Sequence, residues 1–385
     1  MIYLRDAILA VAALPFIYYL LVIFSGLRFF LTSRQSHPVG FQPPVSILKP
    51  VRGLDPEAYE NFASFCRQDY GSPGNYEIVF CLGSDADPAL PVIERVMRDF
   101  PEHQIQLVYA SSEGAANDKV AKLVRLNEAA RFEHLVLCDS DVRVKPDYLR
   151  SVVAPLAEPG CGAVTCFYAP EGTGSLAERL HTLGMLADFY AGILVAWLLD
   201  GVKFAFGTTI ATTKSAVASF GGFEALQNRP ADDLLIGRLI GEQGYDVVLS
   251  RYTVHTREDY PAIGDLFPKR LRWMVVMRHM RPWGHLGLLF THGIFWLFVA
   301  LLADPSWTTL GIFGGGYLAA RMVILWLIGK WGLKQPLRAS DYAMLAAWDA
   351  LGFAIWASSF FRNNLRWRQG AYCLRDGKLV PAEPE

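Results

Sequence analysis

The stretch HLVLCDSDVRVKPDYL, residues 134 to 149, joins a short apolar run to two closely spaced carboxylates. The run from His134 to Cys138 predicts a buried β-strand, and Asp139 and Asp141 follow it with one serine between them. A carboxylate at the end of a buried strand is costly unless a positive group or water meets it. The stretch therefore predicts a sheet edge at which the two acids meet a protein cation, a metal ion or solvent.

Short β-rich runs of the same kind precede this one and alternate with helical patterns at 57–69 and 118–131. Such alternation is typical of an α/β fold with a mostly parallel sheet and right-handed crossovers. No GxGxxG follows the first strand and no GxxxxGK[ST] occurs in the chain, so dinucleotide-binding and P-loop folds lose their main support. Ligands of open α/β sheets bind beyond the strand carboxyl ends. Polar side chains follow three predicted strands there: Lys49, Asp85, Asp87, Asp139 and Asp141.

The composition favours a membrane-associated protein over a nucleic-acid-binding one. The 385 residues carry a net charge of -1, so no basic field attracts nucleic acid, and 52% of them are apolar, which is high for a soluble enzyme. The six cysteines are scattered, none forms a CxxC pair, and Cys81 and Cys138 lie within apolar runs. We expect reduced cysteines in the core of a domain that faces the cytosol.

The N-terminal segment AILAVAALPFIYYLLVIFSGLRFFL, residues 7 to 31, is uncharged up to Leu27. That length spans a bilayer and exceeds the apolar core of a signal peptide, so we expect an uncleaved transmembrane anchor. Arg28 and Arg34 follow the uncharged part, against Arg5 alone before it. The positive-inside rule then places the residues after the anchor in the cytoplasm.

Three further apolar segments lie near the C-terminus, at 286–303, 307–329 and 342–361. Basic residues occur in the loop before the last segment and again in the tail after it. If all three segments span the membrane, the two ends of the last segment lie on opposite sides, and the positive-inside rule cannot be satisfied at both of these ends. We therefore expect that not all of them are simple spans, and the sequence leaves open whether one is re-entrant or lies on the membrane surface.

A second pair of acids lies near the start of RPADDLLIGRLIGEQGYDVVLS, residues 229 to 250. Asp232 and Asp233 precede apolar residues at helical spacing, which predicts a helix with both carboxylates in its first turn. Taken alone, acids at this position cap the helix and interact favourably with its dipole.

The segment FPKRLRWMVVMRHMRPWG, residues 267 to 284, combines lysine and arginine with Trp and Met. One interpretation is an amphipathic helix on an anionic lipid surface. The other is a cationic clamp on a diphosphate, with Trp273 shaping the pocket. The segment alone does not decide between these two interpretations, and the other motifs of the chain are needed.

Together these elements resemble the ceramide glucosyltransferase family of lipid-directed GT-A glycosyltransferases, which includes bacterial members associated with hopanoid lipids. The resemblance rests on an aspartate after the second strand, a DxD-like site, an (A)(D/E)D motif and a (Q/R)xxRW motif before membrane segments. It runs from the anchor to the tail, through ILKPVRG, SFCRQDY, NDKVAKL, CDSDVRVKPDYL, GGFEAL, ADDLLIG, LRWM and WRQGAYCLRDGKLVP. It implies a GT-A catalytic domain, with a Rossmann-like and mostly parallel sheet, between an N-terminal transmembrane helix and C-terminal membrane helices.

The resemblance and the apolar segments together predict the organisation of the chain. The regions are an anchor at 1–31, a linker at 32–44, a catalytic domain at 45–265, a basic interfacial segment at 266–285, membrane helices at 286–361 and a cytosolic-type tail at 362–385. We therefore expect a multi-pass integral membrane protein whose catalytic domain faces the cytoplasm, most simply at a bacterial inner membrane.

The resemblance assigns the donor and metal sites to five residues. Asp87 matches the aspartate on the uracil or ribose of the nucleotide, with Asp85 as its neighbour, and Lys119 matches a lysine on the nucleotide side. Asp139 and Asp141 match the site that binds a divalent metal, Mg²⁺ or Mn²⁺, together with the diphosphate. Carboxylate oxygens are hard ligands, which these metal ions prefer. We expect Asp141 to be the more direct metal ligand and Asp139 to lie nearer the ribose or the water shell of the metal.

The resemblance also assigns catalytic roles. Asp233 matches the general base, preceded by the acidic Asp232, and Arg272 and Trp273 match the end of the final motif. That motif departs from the family at one position, since (Q/R)xxRW calls for Gln or Arg where this chain has Lys269. Lysine keeps the charge but lacks the planar fork of arginine and the amide of glutamine.

The function that the resemblance implies is metal-dependent transfer of a hexose with inversion, foremost glucose from UDP-glucose, onto the hydroxyl of a ceramide-like membrane lipid. Two related activities remain open: transfer of N-acetylglucosamine from its UDP-sugar to a hopanoid polyol, and processive polysaccharide synthesis. A membrane-anchored binding protein with an inactive transferase domain is a further alternative. The full set of acids and the basic motif argue against it, because an inactive site has no physical need for them.

Two more segments are expected to serve the lipid acceptor. Residues 182–199 are apolar, with no basic residue and Asp188 as their one acid, and form either a core helix or a lipid-facing acceptor helix. Residues 204–216 are expected to line the floor of the acceptor site, where small side chains leave room for the sugar.

Overall fold

The computed structural model describes residues 2–32, 40–72, 74–111, 117–171, 174–257, 260, 262–362, 364–367, 370–375 and 378–381. Most of the predicted linker, with Arg34, and parts of the predicted tail lie outside these residues. The helices are α1 Ile2–Ala12, α2 Leu14–Leu31, α3 Ala58–Cys66, α4 Leu90–Asp99, α5 Asp118–Ala129, α6 Tyr148–Val153, α7 Leu176–Gly184, α8 Tyr190–Asp200, α9 Lys214–Ser219, α10 Asp232–Glu242, α11 Ile263–Met280, α12 Pro282–Gly287, α13 Gly293–Ala303, α14 Trp307–Thr309, α15 Gly316–Leu325, α16 Ala339–Ala343 and α17 Leu345–Ser358.

The strands form an eight-stranded sheet and a separate three-stranded sheet near the C-terminus. They are β1 Val45–Pro50, β2 Tyr76–Leu82, β3 Gln104–Tyr109, β4 His134–Leu137, β5 Val142–Arg143, β6 Cys161–Pro170, β7 Ile210–Thr213, β8 Asp246–Thr256, β9 Asn364–Trp367, β10 Gly370–Arg375 and β11 Lys378–Pro381. The large sheet has the order β3-β2-β1-β4-β7-β6-β8-β5. Its first four strands are parallel, β6 and β8 are parallel, and β7 is antiparallel to both of its neighbours. The predicted α/β fold with a mostly parallel sheet is therefore confirmed, whereas the antiparallel β7 was not predicted.

Alternate side chains of the central strands fill hydrophobic cores on the two opposite faces of the sheet. Ile47 and Ile78 belong to the core that includes side chains of α3 and α4, whereas Leu48 and Val79 belong to the core that includes α5 and α10. The prediction of reduced core cysteines agrees with the structure, in which the free and buried thiols are Cys66, Cys81, Cys138 and Cys166.

Several helices of the described chain are long and apolar enough to cross a membrane. They are Tyr3–Leu31, Leu176–Asp200 and Trp307–Gly332, and the bent pair Pro282–Thr291 with Gly293–Ala303 adds a fourth if it counts as one span. Leu345–Phe361 is a shorter apolar helix. The apolar patch at 182–199 thus belongs to a helix of membrane-spanning length, in which a π-helical turn at Met185–Phe189 joins α7 to α8.

The apolar segment predicted at 286–303 contains a 59° bend, which separates Thr291 from Gly293. The Tyr19 hydroxyl bridges this break, because it donates to the carbonyl of Thr291 at 2.9 Å and accepts the N–H of Gly293 at 3.0 Å. Broken helices are tolerated in membranes where protein satisfies their free backbone groups. The bend agrees with the expectation that the C-terminal segments are not all simple spans.

Candidate active site

The carboxyl ends of β2, β1 and β4 meet at one edge of the large sheet, because these strands are parallel neighbours. The loop after β2 carries Asp85 and Asp87, and the loop after β4 carries Asp139 and Asp141. The first turns of α5 and α10 bring further charged side chains to the second of these loops. The acids that are scattered along the sequence therefore share one edge of the fold.

Lys119 is the cation that meets the first acid of the DSD segment. The Asn117 side chain caps α5 by accepting the N–H of Lys119 at 3.1 Å, which fixes the lysine in the first turn. The Lys119 Nζ lies 2.7 Å from Asp139 Oδ1 and 3.3 Å from Asp232 Oδ2. Burial alone would favour the neutral amine, but the neighbouring carboxylates, led by Asp139, raise the pKa of Lys119 well above its ordinary value. The lysine therefore stays charged.

Asp233 lies in the first turn of α10, next to Asp232, which contacts Lys119. Its Oδ2 accepts the N–H of Gly207 at 3.0 Å. Burial, reinforced by the adjacent Asp232, raises the pKa of Asp233 to about 6, although Lys119 acts in the opposite direction. A carboxylate whose pKa lies this close to neutrality is suited to accept a proton during a reaction and release it afterwards.

Gly207 lies next to Asp139, Lys119 and Asp233. Its carbonyl accepts the N–H of Asp139 at 3.2 Å, across the junction of β4 with the antiparallel β7. A Cβ placed on Gly207 would lie 2.8 Å from both Asp139 Oδ2 and Lys119 Nζ. The same Cβ would lie 3.4 Å from Asp233 Oδ2. Only the surrounding segment 204–216 could be predicted to line the site, because the pairing of β7 with β4 leaves no local sequence signal.

Lys49, at the carboxyl end of β1, supports the DSD segment from within the fold. Its side chain is fully buried, and its Nζ lies 3.9 Å from the ring centroid of Phe65. The Nζ donates to the backbone carbonyl of Asp139 at 2.7 Å. Burial lowers the pKa of Lys49 below its ordinary value. This contact fixes the backbone from which the Asp139 carboxylate points towards Gly207.

Asp139 and Asp141 offer carboxylate oxygens of the kind that a divalent metal binds, and their role as metal ligands stays a prediction. The turn between them is held from two sides, because Ser140 Oγ donates to Asp55 and the N–H of Arg257 donates to the carbonyl of Asp141 at 2.9 Å. In the described part of the chain, no group of three or more His, Cys, Asp or Glu side chains could hold a metal ion alone. Two carboxylates with phosphate oxygens and water are the usual ligands of Mg²⁺.

Asp87 ties the loop after β2 to the loop after β1. Both of its carboxylate oxygens lie 3.1 Å from the backbone N of Gly53, and Oδ1 also accepts the N–H of Ala89 at 3.0 Å. Asp85 is exposed in the same loop. Nucleotide binding by Asp87, with Asp85 beside it, stays a prediction, and both residues lie at the sheet edge that the prediction requires.

Trp273 belongs to a row of aromatic side chains that ends beside Gly207. Its ring centroid lies 6.0 Å from that of Phe189, which in turn lies 5.6 Å from that of Phe206. Arg272 is half-buried in the same helix, α11, one residue before the tryptophan. Trp273 therefore adjoins the charged cluster through two other rings.

Arg270, which no motif distinguishes in the sequence, supplies a buried guanidinium in the basic segment. The side chain is buried and donates to the carbonyl of His181 at 2.8 Å. Its guanidinium lies 5.0 Å from the ring centroid of Trp273 and 5.2 Å from that of Trp348. Lys269 also approaches the Trp273 ring, at 5.8 Å. The planar fork that is missing at position 269 is therefore present one residue later, between two indole rings.

The family model described as Glycosyl transferase family 21 matches residues 7–380. The chain belongs to glycosyl transferase family 21. Ceramide glucosyltransferase 1 of Caenorhabditis elegans is 24% identical over 242 residues, which are 62% of this chain and 51% of the relative. The ceramide glucosyltransferase of Gibberella zeae is 30% identical over 122 residues, which are 30% of this chain and 23% of the relative. The resemblance to ceramide glucosyltransferases is confirmed, and the chain spans about half the length, or less, of these curated relatives.

A solved structure supports the fold of this family 21 chain. The mannosyltransferase of Pyrobaculum calidifontis, in complex with GDP-Man and Mn²⁺, matches with a TM-score of 0.62 and 18% sequence identity. The match covers 93% of this chain and 99% of the mannosyltransferase chain. At this identity the likeness shows a shared fold, and it bears out the predicted GT-A-like fold.

The family 21 motifs converge in the fold to different degrees. The DSD and ADD motifs meet, because Lys119 contacts Asp139 and Asp232 while Asp233 bonds to Gly207. The DAD loop lies further along the same sheet edge, and the RW motif adjoins the cluster through aromatic rings. The individual roles of these residues in binding and catalysis stay predictions, which substitutions can test.

Replacing Gly207 with alanine is expected to lower the transferase activity predicted for this chain about 10²-fold while the sheet domain stays folded. The new methyl group would lie 2.8 Å from two charged atoms, so Asp139 or Lys119 must move, and a displacement of about 1 Å costs this much in rate. Transfer assays with purified protein and thermal unfolding measure both effects. Gly241→Ala is the matched control, because its Cβ would meet nothing within 4 Å. Unchanged transfer by the Gly207→Ala chain would show that these groups do not act together.

Proposed function

We propose that the protein is a membrane glycosyltransferase that moves a hexose, foremost glucose from UDP-glucose, with inversion onto the hydroxyl of a ceramide-like lipid. The observation that carries the proposal is the cluster of Asp233, Lys119 and Asp139 around Gly207. Membership of family 21 and the names of the relatives support the sugar and the acceptor. The Pyrobaculum mannosyltransferase, which was solved with a nucleotide sugar and Mn²⁺, supports the type of donor and metal.

Asp233 acts as the general base in this proposal. The acceptor oxygen attacks the anomeric carbon, the bond from that carbon to the diphosphate oxygen breaks, and the acceptor proton passes to the Asp233 carboxylate. A base positioned in this way contributes about 10²- to 10⁴-fold to a rate. Because the reaction needs one base and no carboxylate nucleophile, it proceeds by direct displacement and inverts the anomeric centre.

The leaving diphosphate gains negative charge as the glycosidic bond breaks. Lys119, which its carboxylate neighbours keep protonated, provides fixed positive charge beside that position, and we expect Arg272 to add to it. Asp139 and Asp141 would hold Mg²⁺ or Mn²⁺, which when bound supplies Lewis-acid neutralisation of the diphosphate. Asp87, with Asp85, is proposed to bind the nucleoside from the neighbouring loop.

The apolar helices account for the choice of acceptor. A lipid acceptor keeps its chains in hydrocarbon and presents its hydroxyl group at the interface. The candidate spans on both sides of the sheet domain would hold the site at that surface, and the basic helix α11 would lie along it. The positive-inside rule puts the domain in the cytoplasm of a multi-pass protein.

The rate of sugar transfer is expected to rise with pH up to about 6 and then level off. Asp233 accepts a proton only when it is ionised, so the active fraction is lost as the pH falls through its raised pKa of about 6. The slope below that value should be about tenfold per pH unit, as for a single protonation. Values of kcat/KM for the UDP-sugar, measured at saturating metal, test this. An inflection at the ordinary pKa of aspartate, about 4, would contradict the environment assigned to Asp233.

A direct assay tests the proposed function. Membranes from cells that express the chain are incubated with radiolabelled UDP-glucose and a short-chain ceramide, and the lipids are separated by thin-layer chromatography. We expect a lipid that carries a single sugar and that control membranes do not form. Parallel incubations with UDP-N-acetylglucosamine and a hopanoid polyol test the related activity. Label that stays at the origin as polymer would favour a processive synthase, and no labelled product with any pair would contradict the proposal.

A further inference from the structure

A buried ion network joins three of the apolar helices. The Arg321 guanidinium donates to Asp349 through Nε at 3.0 Å and through Nη2 at 2.5 Å. The same guanidinium donates to Asp188 Oδ1 at 2.6 Å and to the carbonyl of Ala187 at 2.7 Å. The Trp348 indole N–H donates to Asp188 Oδ2 at 2.5 Å. The network thus connects the π-helical turn at Met185–Phe189 with α15 and α17.

The two carboxylates of this network differ in exposure. The side chains of Arg321 and Asp349 are 2% and 6% exposed, and Tyr317 donates a further hydrogen bond to Asp349. Arg321 and Asp349 therefore neutralise each other inside the helix bundle. The Asp188 side chain is 40% exposed, although it belongs to the apolar helix Leu176–Asp200. Both acids share one cation, and Asp188 is the one of the two whose carboxylate has an open side.

The position of Asp188 links it to the cluster around Gly207. The next residue, Phe189, contacts both Trp273 and Phe206, with ring centroids 6.0 and 5.6 Å apart. Phe206 directly precedes Gly207. Asp188 itself adjoins this row through Trp348, whose indole N–H donates to Asp188 and whose ring lies 5.2 Å from the Arg270 guanidinium, which in turn lies 5.0 Å from the Trp273 ring. A lipid headgroup at the open side of Asp188 would therefore lie close to the basic segment that borders the cluster. Charged groups among apolar helices are unfavourable unless they meet hydrogen-bond donors, and they often mark substrate sites.

We propose that Asp188 binds the acceptor lipid by accepting a hydrogen bond from a hydroxyl or amide N–H of a neutral headgroup. Carboxylate oxygens accept hydrogen bonds, so this position selects headgroup atoms that donate them. Arg321 and Trp348 fix its orientation and leave its open side to the lipid. The inference rests on the proposed function, because this lipid is the acceptor of that reaction. It adds a contact that none of the family motifs contains.

The test compares the steady-state kinetics of Asp188→Asn with those of the unaltered chain, using a short-chain ceramide in mixed micelles. The KM for ceramide is expected to rise about 10-fold or more, the effect of losing a hydrogen bond to a charged group. The KM for UDP-glucose and the slow release of UDP without lipid should stay unchanged. Asp200→Asn is the matched control, because Asp200 ends the same helix in an exposed ion pair with Lys203.

Outcomes of this test separate the inference from the proposed function. Transfer by Asp188→Asn with an unchanged KM for ceramide would overturn the inference alone. Equal losses for both substrates and for UDP release would show a structural role and would also overturn it. A KM effect with a hopanoid polyol instead of ceramide would uphold the site and change the lipid. Absence of transfer to any lipid by the unaltered chain would contradict the proposed function.

A second measurement covers the case in which the Asp188→Asn chain does not fold. A ceramide that carries a photoreactive diazirine beside its amide is irradiated with the unaltered protein, and the labelled peptides are identified by mass spectrometry. We expect label within Leu176–Asp200 or Leu345–Ser358, the segments that contain Asp188 and Trp348. Label confined to other helices would overturn the inference, whether or not sugar transfer is observed.

Discussion

Replacing Asp233 with asparagine is expected to lower the rate of sugar transfer by about 10²- to 10⁴-fold, the usual contribution of a general base. Asparagine has nearly the same shape, and its side-chain oxygen can still accept the N–H of Gly207, which lies 3.0 Å from the carboxylate. It cannot take up the acceptor proton. The donor site is built from other side chains, so the affinity for the UDP-sugar should change little.

Three measurements distinguish this role of Asp233 from a structural one. Single-turnover transfer rates give the size of the loss, equilibrium binding gives the affinity for UDP-glucose, and the residual rate should no longer show the step near pH 6 that the raised pKa of Asp233 predicts. Glu242→Gln is the matched control, because Glu242 lies in the same helix in an exposed ion pair with Arg238 at 2.7 Å. Normal turnover by Asp233→Asn would exclude it as the base.

Those parts of the fold that depend on neighbours in the chain could be predicted from the sequence. The apolar run at 134–138 and the acids after it predicted a strand that ends at a polar sheet edge, and β4 ends at Leu137 with Asp139 at that edge. The pair Asp232 and Asp233 predicted the first turn of a helix, where α10 begins. Period and residue type are local signals, which is why these predictions agree with the structure.

Those parts that depend on distant pairing could not be predicted in the same way. Gly207 reaches the site because β7 inserts antiparallel beside β4, and nothing near residue 207 specifies that partner. Lys119 was assigned to the nucleotide side, and its direct contact with Asp139 was not foreseen. Arg321 and Asp349 interrupt apolar segments in the sequence, but at a separation of 28 positions no local pattern indicates that they form an ion pair.

Removing divalent metal with EDTA is expected to abolish sugar transfer, and added Mn²⁺ or Mg²⁺ should restore it. Charge stabilisation of several kcal/mol by the metal corresponds to about a 10³-fold change in rate. At low metal concentration, Asp139→Asn and Asp141→Asn should each show a loss of transfer that approaches this size. Transfer rates across a metal titration measure the effect. Asp69→Asn, which alters an exposed acid paired with Arg150, is the control. Full activity in EDTA would contradict the metal site.

The two substitutions should differ in how far added metal restores them. Asp139 also accepts the Lys119 ammonium at 2.7 Å, and its N–H bonds to the carbonyl of Gly207, so an asparagine side chain at this position weakens a charge contact that metal does not replace. Asp139→Asn should therefore keep a residual defect at saturating Mn²⁺, whereas Asp141→Asn should recover further if Asp141 acts mainly as a metal ligand. Equal recovery of both variants would mean that the Lys119–Asp139 contact contributes nothing to transfer. The comparison thus tests separately the two positive partners proposed for the DSD segment, the lysine and the metal ion.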